Sequence, residues 1–150
     1  MKANVEKVRA TFRTYHSNHR NIIDKNFREN GLYFGQPPIL KYLSENDNAT
    51  QKEIADFLHI SPPSVATSLK RMEESGLVVR AADKKDARCN NLKLTEKGEK
   101  LSEYADKLFL SADEATFSDF TDEEIQTLIK FLERMNKNLL EFAERGEENV

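Results

Sequence analysis

Val65, Leu69 and Met72 are spaced i, i+4 and i+7, and Ser64, Thr67, Ser68 and Arg71 fill the positions between them. If the apolar set forms the buried stripe of a helix, these polar residues, with Ser75, face outward. Ser and Thr hydroxyls can bond to phosphates or base edges, and an arginine can bind a guanine in bidentate fashion. A helix face with no task beyond solubility favours Lys and Glu, which are good helix formers, whereas Ser and Thr are poor ones. Short hydroxyl side chains on an exposed stripe therefore suggest close approach to another surface, as entry into a DNA groove requires. The candidate DNA contacts on this segment are Ser61, Pro62, Ser64, Thr67, Ser68, Lys70 and Arg71.

A second group of charges follows within Ala81–Asn90, which holds Asp83, Lys84, Lys85, Asp86 and Arg88. Asp86 paired with Arg88 would aim the guanidinium into a narrow minor groove, where negative potential is concentrated. Lys84 and Lys85 would then meet phosphate. The plain alternative is a solvated hairpin loop of mixed charge. Cys89 stands next to Arg88, and a nearby cation can lower a thiol pKa and make it reactive. An oxidant-sensing thiol and an incidental exposed cysteine are both consistent with that position.

Other chemistry is sparse. His16 and His19 share a helix face, but no cysteine and few carboxylates accompany them, so we expect no metal site. Arg13, Tyr15, His16, His19 and Tyr33 are candidates to line a pocket for a small aromatic or anionic effector. There is no nucleophile–base pair, phosphate-binding loop or paired-carboxylate motif, so we expect neither catalytic residues nor a cofactor, and no enzyme.

The elements that must position these residues can be read from caps and periodicity. Residues 4–28 form one helix with Val5, Val8, Phe12, Tyr15, His19, Ile22, Ile23 and Phe27 on one face, broken by Gly31 and Gly35. Pro37 and Pro38 suit the first turn of a second helix carrying Ile39, Leu40 and Leu43. Thr50 and Glu53 spell a capping box for a third helix, with Ile54, Ala55, Phe57 and Leu58 expected inside. His59-Ile60 makes a turn, Ser61-Pro62 restarts the chain as N-cap and first-turn proline, and Gly76 ends the fourth helix. Leu77–Arg80 and Asn91–Leu94 read as two strands around the charged loop. Thr95 caps a fifth helix to about Ala112. A second capping box, Thr121 with Glu124, starts a last helix whose stripe runs through Ile125, Leu128, Ile129, Leu132, Met135, Leu139 and Phe142.

The chain has 150 residues, 38% hydrophobic and 33% charged, which suits one domain with extended helical arms. No apolar run approaches the length of a membrane span, and the N-terminus lacks the apolar core of a signal peptide. A single cysteine cannot form an internal disulfide, so a cytoplasmic location is expected. The net charge of −3 is unevenly placed. Residues 1–49 hold 8 Lys and Arg against 5 Asp and Glu, residues 50–100 hold 10 against 8, and residues 101–150 hold 5 against 13. The acidity belongs to the last third, leaving the segment meant for DNA mildly basic.

Over nearly its whole length, and most specifically over residues 50–98, the sequence resembles the MarR family of winged helix-turn-helix transcriptional regulators. The match rests on Gly76–Arg80 (GLVVR), Asp83, Asp86-Ala87-Arg88 and Leu94-Thr95-Glu96-Lys97-Gly98. The resemblance implies that Asp86 is the wing aspartate, that Arg88 is the minor-groove arginine and that Pro62–Ser75 is the groove helix. It also implies homodimers built from the first and last helices, and an effector or redox signal that alters DNA affinity. The sensing cysteine of thiol-based relatives lies in the first helix, where this chain has none.

The expected fold is therefore mainly α: a winged helix-turn-helix of about six helices plus a two- to three-stranded β-wing. Residues 1–34 and 113–150 would supply dimerisation helices around a DNA-binding lobe at 35–112. The expected function is sequence-specific binding of double-stranded DNA at a pseudo-palindromic operator. The two groove helices would lie about 34 Å apart. Repression is the expected sign, because occupying a promoter blocks polymerase. A winged-helix module that docks protein instead of DNA, and a DNA-binding thiol sensor using Cys89, are the alternatives.

Overall fold

A computed structural model describes residues 2–82 and 90–146 of the chain. Its elements run α1 (Lys2–Glu29), α2 (Gln36–Glu45), α3 (Gln51–Leu58), α4 (Pro62–Glu74), β1 (Val78–Ala82), β2 (Asn90–Leu94), α5 (Glu96–Thr116) and α6 (Asp122–Gly146). This is the mainly helical winged-helix architecture read from the sequence. Strand β1 starts one residue later and ends two later than expected, β2 starts one residue earlier and ends as expected, and α5 continues one turn beyond Ala112. The chain divides into two compact units, residues 1–112 and 113–150.

Local chemistry fixes most of the boundaries in the first unit. Three helices end in the same way, with a residue of positive φ followed by a buried or half-exposed apolar one. Gly31 closes α1, His59 closes α3 and Gly76 closes α4. Each time the next N–H bonds five residues back: Leu32 to Phe27, Ile60 to Ala55 and Leu77 to Met72. This Schellman geometry satisfies carbonyls that would otherwise be orphaned at the helix end. Thr50 and Glu53 form the complete capping box on α3, and Ser61 caps α4 through the Ser64 N–H. Helix α2 has no side-chain cap; instead the buried side chain of its first residue, Gln36, reaches back and accepts the Tyr33 N–H of the preceding turn at 3.0 Å.

The core of this unit joins Ile23 and Phe27 of α1, Leu32 of the α1–α2 connection, Ile39, Leu40 and Leu43 of α2, Ile54 of α3, and the α4 stripe Val65, Leu69 and Met72. Leu77, Val78 and Leu92 close it on the wing side. Phe109 of α5 meets Phe27 edge-on with ring centroids 5.6 Å apart. The Tyr104 hydroxyl accepts a hydrogen bond from Asn30 at 2.9 Å. Lys41 of α2 pairs with Asp106 of α5 at 2.9 Å. Phe57 departs from the sequence reading: it is 61% exposed, lying against Tyr42 with centroids 4.7 Å apart. On this eight-residue helix Ile54 and Ala55 are buried and Leu58 packs partly buried against the core, while Phe57 is left outside.

The wing strands pair antiparallel, with Val78 opposite Leu94, Val79 opposite Lys93 and Arg80 opposite Leu92. A single bridge from Ala49 to Leu92 adds the rudiment of a third strand. Val78, Arg80, Leu92 and Leu94 share one face by alternation. Arg80 shares the face of Val78 and Leu92 but is itself exposed, and its guanidinium is matched by Glu73 on α4, to which its Nε donates. A charge on a partly buried face needs such a partner.

The second unit holds the end of α5 and the whole of α6. The second capping box forms as expected, with Thr121 N–H donating to Glu124 at 2.9 Å and Glu124 N–H to the Thr121 hydroxyl at 3.3 Å. Among the described residues no α6 side chain is fully buried. Ile129, Phe131, Leu132, Met135, Leu139, Leu140 and Phe142 all lie exposed. No described helix is long and apolar enough to cross a membrane.

Candidate nucleic-acid interface

Helix α4 turns its stripe inward as the spacing required: Val65, Leu69 and Met72 are fully buried. Ser61, Pro62, Ser64, Thr67, Lys70 and Arg71 are exposed, and Ser68 is half-buried. The structure thus brings all seven described candidates onto one short helix and its cap. Lys84, Lys85, Asp86 and Arg88, with Asp83 and Cys89, lie outside the described residues.

The hydrogen-bonding capacity of this face is narrower than its composition suggests. Pro62 and Pro63 have no N–H, and the Ser64 N–H is held by Ser61. The start of α4 therefore offers few backbone donors for an anion. Its polar groups are instead the Ser61 and Ser64 hydroxyls, which bond to each other at 2.8 Å. The Thr67 hydroxyl donates to the Pro63 carbonyl at 2.9 Å, so toward an outside partner it acts as an acceptor. Arg71 forms no ion pair among the described residues and keeps its five donors for an external acceptor.

Three contacts hold this helix in place, none of them legible as function in the sequence. Gln51 at the start of α3 donates to the Pro62 carbonyl at 3.4 Å, fixing the two helices of the helix-turn-helix at their N-termini. Glu73 receives Arg80 from the wing. Lys97 of α5 donates to the Ser75 carbonyl at 2.9 Å, placing a cation at the negative end of the α4 dipole.

The Leu-Thr-x-x-Gly segment has a physical role of the same kind. The Thr95 hydroxyl donates to the Gly76 carbonyl at 2.7 Å and accepts the Gly98 N–H at 3.1 Å. It joins the end of α4 to the start of α5, and Gly98 permits that approach.

The effector candidates are only partly assembled. Tyr15 and His19 face each other along α1 with ring centroids 6.0 Å apart. Arg13, His16 and Tyr33 are exposed, and among the described residues no hydrogen bond, ion pair or ring contact joins them to that pair. A cation–π contact that was not anticipated lies near Tyr33, with the Arg20 guanidinium 4.6 Å from the centre of the Phe34 ring. Among the described residues no group of His, Cys, Asp and Glu is arranged to hold a metal.

One carboxylate and one ammonium group are shifted by their hydrogen bonds. Glu53 is held below the usual carboxylate range, first by the Thr50 backbone N–H and then by its hydroxyl. Lys41 is raised above the usual lysine value by hydrogen bonds to Asp106 and Glu45.

This architecture matches known proteins along most of its length. The MarR family model matches residues 30–88. The HTH-type transcriptional regulator YwoH of Bacillus subtilis is 36% identical over 94 residues, spanning 63% of this chain and 68% of that protein. A MarR transcriptional regulator from Methanosarcina mazei has a similar crystal structure: TM-score 0.66, 30% identity, 92% of this chain and 97% of that one covered. MepR of Staphylococcus aureus, in its complex with DNA, is similar at TM-score 0.69 and 27% identity, covering 86% of this chain and 94% of that one. With the helix-turn-helix, the wing strands and these relatives in agreement, the chain belongs to the MarR family of transcriptional regulators.

Proposed function

We propose that this protein binds double-stranded DNA sequence-specifically as a homodimer and represses transcription from a pseudo-palindromic operator. The observation that carries the reading is α4: a helix anchored by three fully buried residues, whose other side presents hydroxyls and an uncommitted arginine. Such a face fits the major groove, with Arg71 reading a guanine and Ser64, Thr67 and Ser68 making close contacts. Ser61, Pro62 and Lys70 lie at its margin and meet the phosphate backbone. The similarity to MepR, whose structure includes DNA, supports DNA as the partner of this chain. In this reading Arg88, held by Asp86, enters the minor groove, and Lys84 and Lys85 neutralise phosphate.

Dimerisation is supported by the apolar residues that each monomer leaves exposed. Val5, Val8, Phe12 and Tyr15 on α1 and the long stripe on α6 are more than a soluble monomer ordinarily displays. Residues 1–34 and 113–150 are accordingly the dimerisation segments, and 35–112 the DNA-binding lobe. A small aromatic or anionic effector that favours a dimer of non-matching helix separation would release the operator. Arg13, Tyr15, His16, His19 and Tyr33 are the residues we assign to such an effector.

The test is operator affinity at fixed salt. Arg71→Ala is expected to cost about 1–3 kcal/mol and to relax base preference. Arg88→Ala is expected to weaken binding with less change in major-groove preference. Unchanged affinity in both variants, or negligible binding to any duplex at about 50 mM salt, overturns the reading and favours a protein-docking module.

A further inference from the structure

A crevice of about 450 Å³ lies on the flank of the first unit, between α2, the α2–α3 loop, β2 and α5. Its walls carry Asp47 and three carboxylates of one α5 face, Glu99, Glu103 and Asp106, against a single lysine, Lys93. Asp106 is satisfied by Lys41. Asp47, Glu99 and Glu103 form no ion pair among the described residues. Glu99 and Glu103 are also four apart on one helix, where like charges repel.

Ser102 supplies a second, independent observation. It is only 5% exposed, lines the crevice, and has no hydrogen bond from its hydroxyl among the described residues. The hydroxyl is not sealed, since among the described residues no fully enclosed side-chain polar atom is without a partner. A nearly buried hydroxyl that opens only onto a crevice normally bonds to something within it. Beneath the carboxylates, Leu43 and Leu94 give the walls an apolar portion.

We propose that this crevice binds a small organic amine. Its protonated nitrogen meets Glu99 and Glu103 and bonds to the Ser102 hydroxyl, while its carbon skeleton rests on Leu43 and Leu94. The volume lies in the range of small-molecule sites, and the mixture of apolar wall with a few convergent polar groups is typical of them. A rim of four carboxylates is also a poor phosphate-facing surface, so the site is separate from the α4 interface. It is separate as well from the effector residues on α1.

The probe is phenethylamine, titrated into the full chain without DNA and followed by amide chemical shifts and calorimetry. Saturable shifts centred on Asp47, Leu94, Ser102 and Glu103 are expected, with no binding of the anionic analogue 3-phenylpropanoate. Combining Glu99→Gln with Glu103→Gln should weaken binding about tenfold, as loss of charge-assisted hydrogen bonds implies. Ser102→Ala should weaken it roughly threefold. Absence of saturable shifts, equal binding of phenylpropanoate, shifts confined to another surface, or full affinity in the doubly substituted variant would each overturn the proposal. Because no DNA is present, the outcome is independent of whether α4 reads an operator.

Discussion

Gly98 passes so close beneath Leu77 that a β-carbon on it would lie 2.1 Å from the Leu77 carbonyl oxygen. The obstacle is backbone, which cannot swing aside as a side chain would. The same carbonyl also accepts the Thr95 N–H at 3.0 Å, so moving it disturbs the junction of α4, β1 and α5 together. Gly98→Ala should therefore destabilise the fold by about 1–3 kcal/mol, the usual range for overpacking a close contact. Urea denaturation at neutral pH measures this, and a change within error of zero contradicts the close approach.

The capping box on α3 predicts a pH dependence. Glu53 has a lowered pKa in the folded state, so its contribution is fully present above the ordinary carboxylate range. It is lost as pH falls through the depressed folded value. Thr50→Ala should cost roughly 1 kcal/mol at neutral pH. Glu53→Gln should be less stable than the parent at pH 7, and the difference should shrink on acidification below the carboxylate range. A difference that stays constant from pH 7 to pH 3 would show that the charge on Glu53 plays no part.

His59 holds a left-handed conformation, φ 51, at the turn between α3 and α4. For a residue with a β-carbon this conformation costs roughly 1–2 kcal/mol, which glycine avoids while paying some chain entropy. His59→Gly should consequently raise the thermal midpoint, whereas His59→Val should lower it. The same order of stability for both, seen by calorimetry, would argue against strain at this turn.

Arg80 and Glu73 form a partly exposed pair, for which solvent screening limits the net coupling to about 0.5–1 kcal/mol. A double-mutant cycle with Arg80→Met and Glu73→Gln should recover a coupling of that size. Raising the salt concentration should reduce it. If Arg80→Met alone were as disruptive as loss of a buried ion pair, the face would be drier than its exposure indicates.

The exposed stripe of α6 leads to the last prediction. Leu139→Ser combined with Phe142→Ser removes two large apolar groups that no neighbour covers in the monomer. Monomer folding should be little affected, because neither side chain contributes to a core. Sedimentation should show a shift from dimer toward monomer. Unchanged association would place the dimer contacts elsewhere.

Much of this architecture follows from local rules. Capping boxes, prolines at first turns and glycines of positive φ depend on groups within five residues of one another, so their positions in the chain announce them. The inward set of α4 is likewise local, because its 3.6-residue period needs only a core somewhere on one side. Phe57 shows the limit: its period suits burial, but whether its position is covered depends on how this short helix lies against the core. The Arg80–Glu73 pair, the Gly98–Leu77 contact and the Lys97–Ser75 bond join segments whose approach is set by packing, not by spacing.

By itself, then, the sequence determined the helix-turn-helix, the polar identity of the α4 face, and the shift of acidity toward the C-terminal third. Each of these is a property of neighbouring residues or of a sum over them. Only the tertiary structure decided which polar groups on α4 are already engaged, why Gly98 admits no side chain, and that Ser102 opens onto a carboxylate-lined crevice. Those facts depend on distances between residues remote in the chain, which form only when apolar burial draws α2, α4, the wing and α5 onto one core.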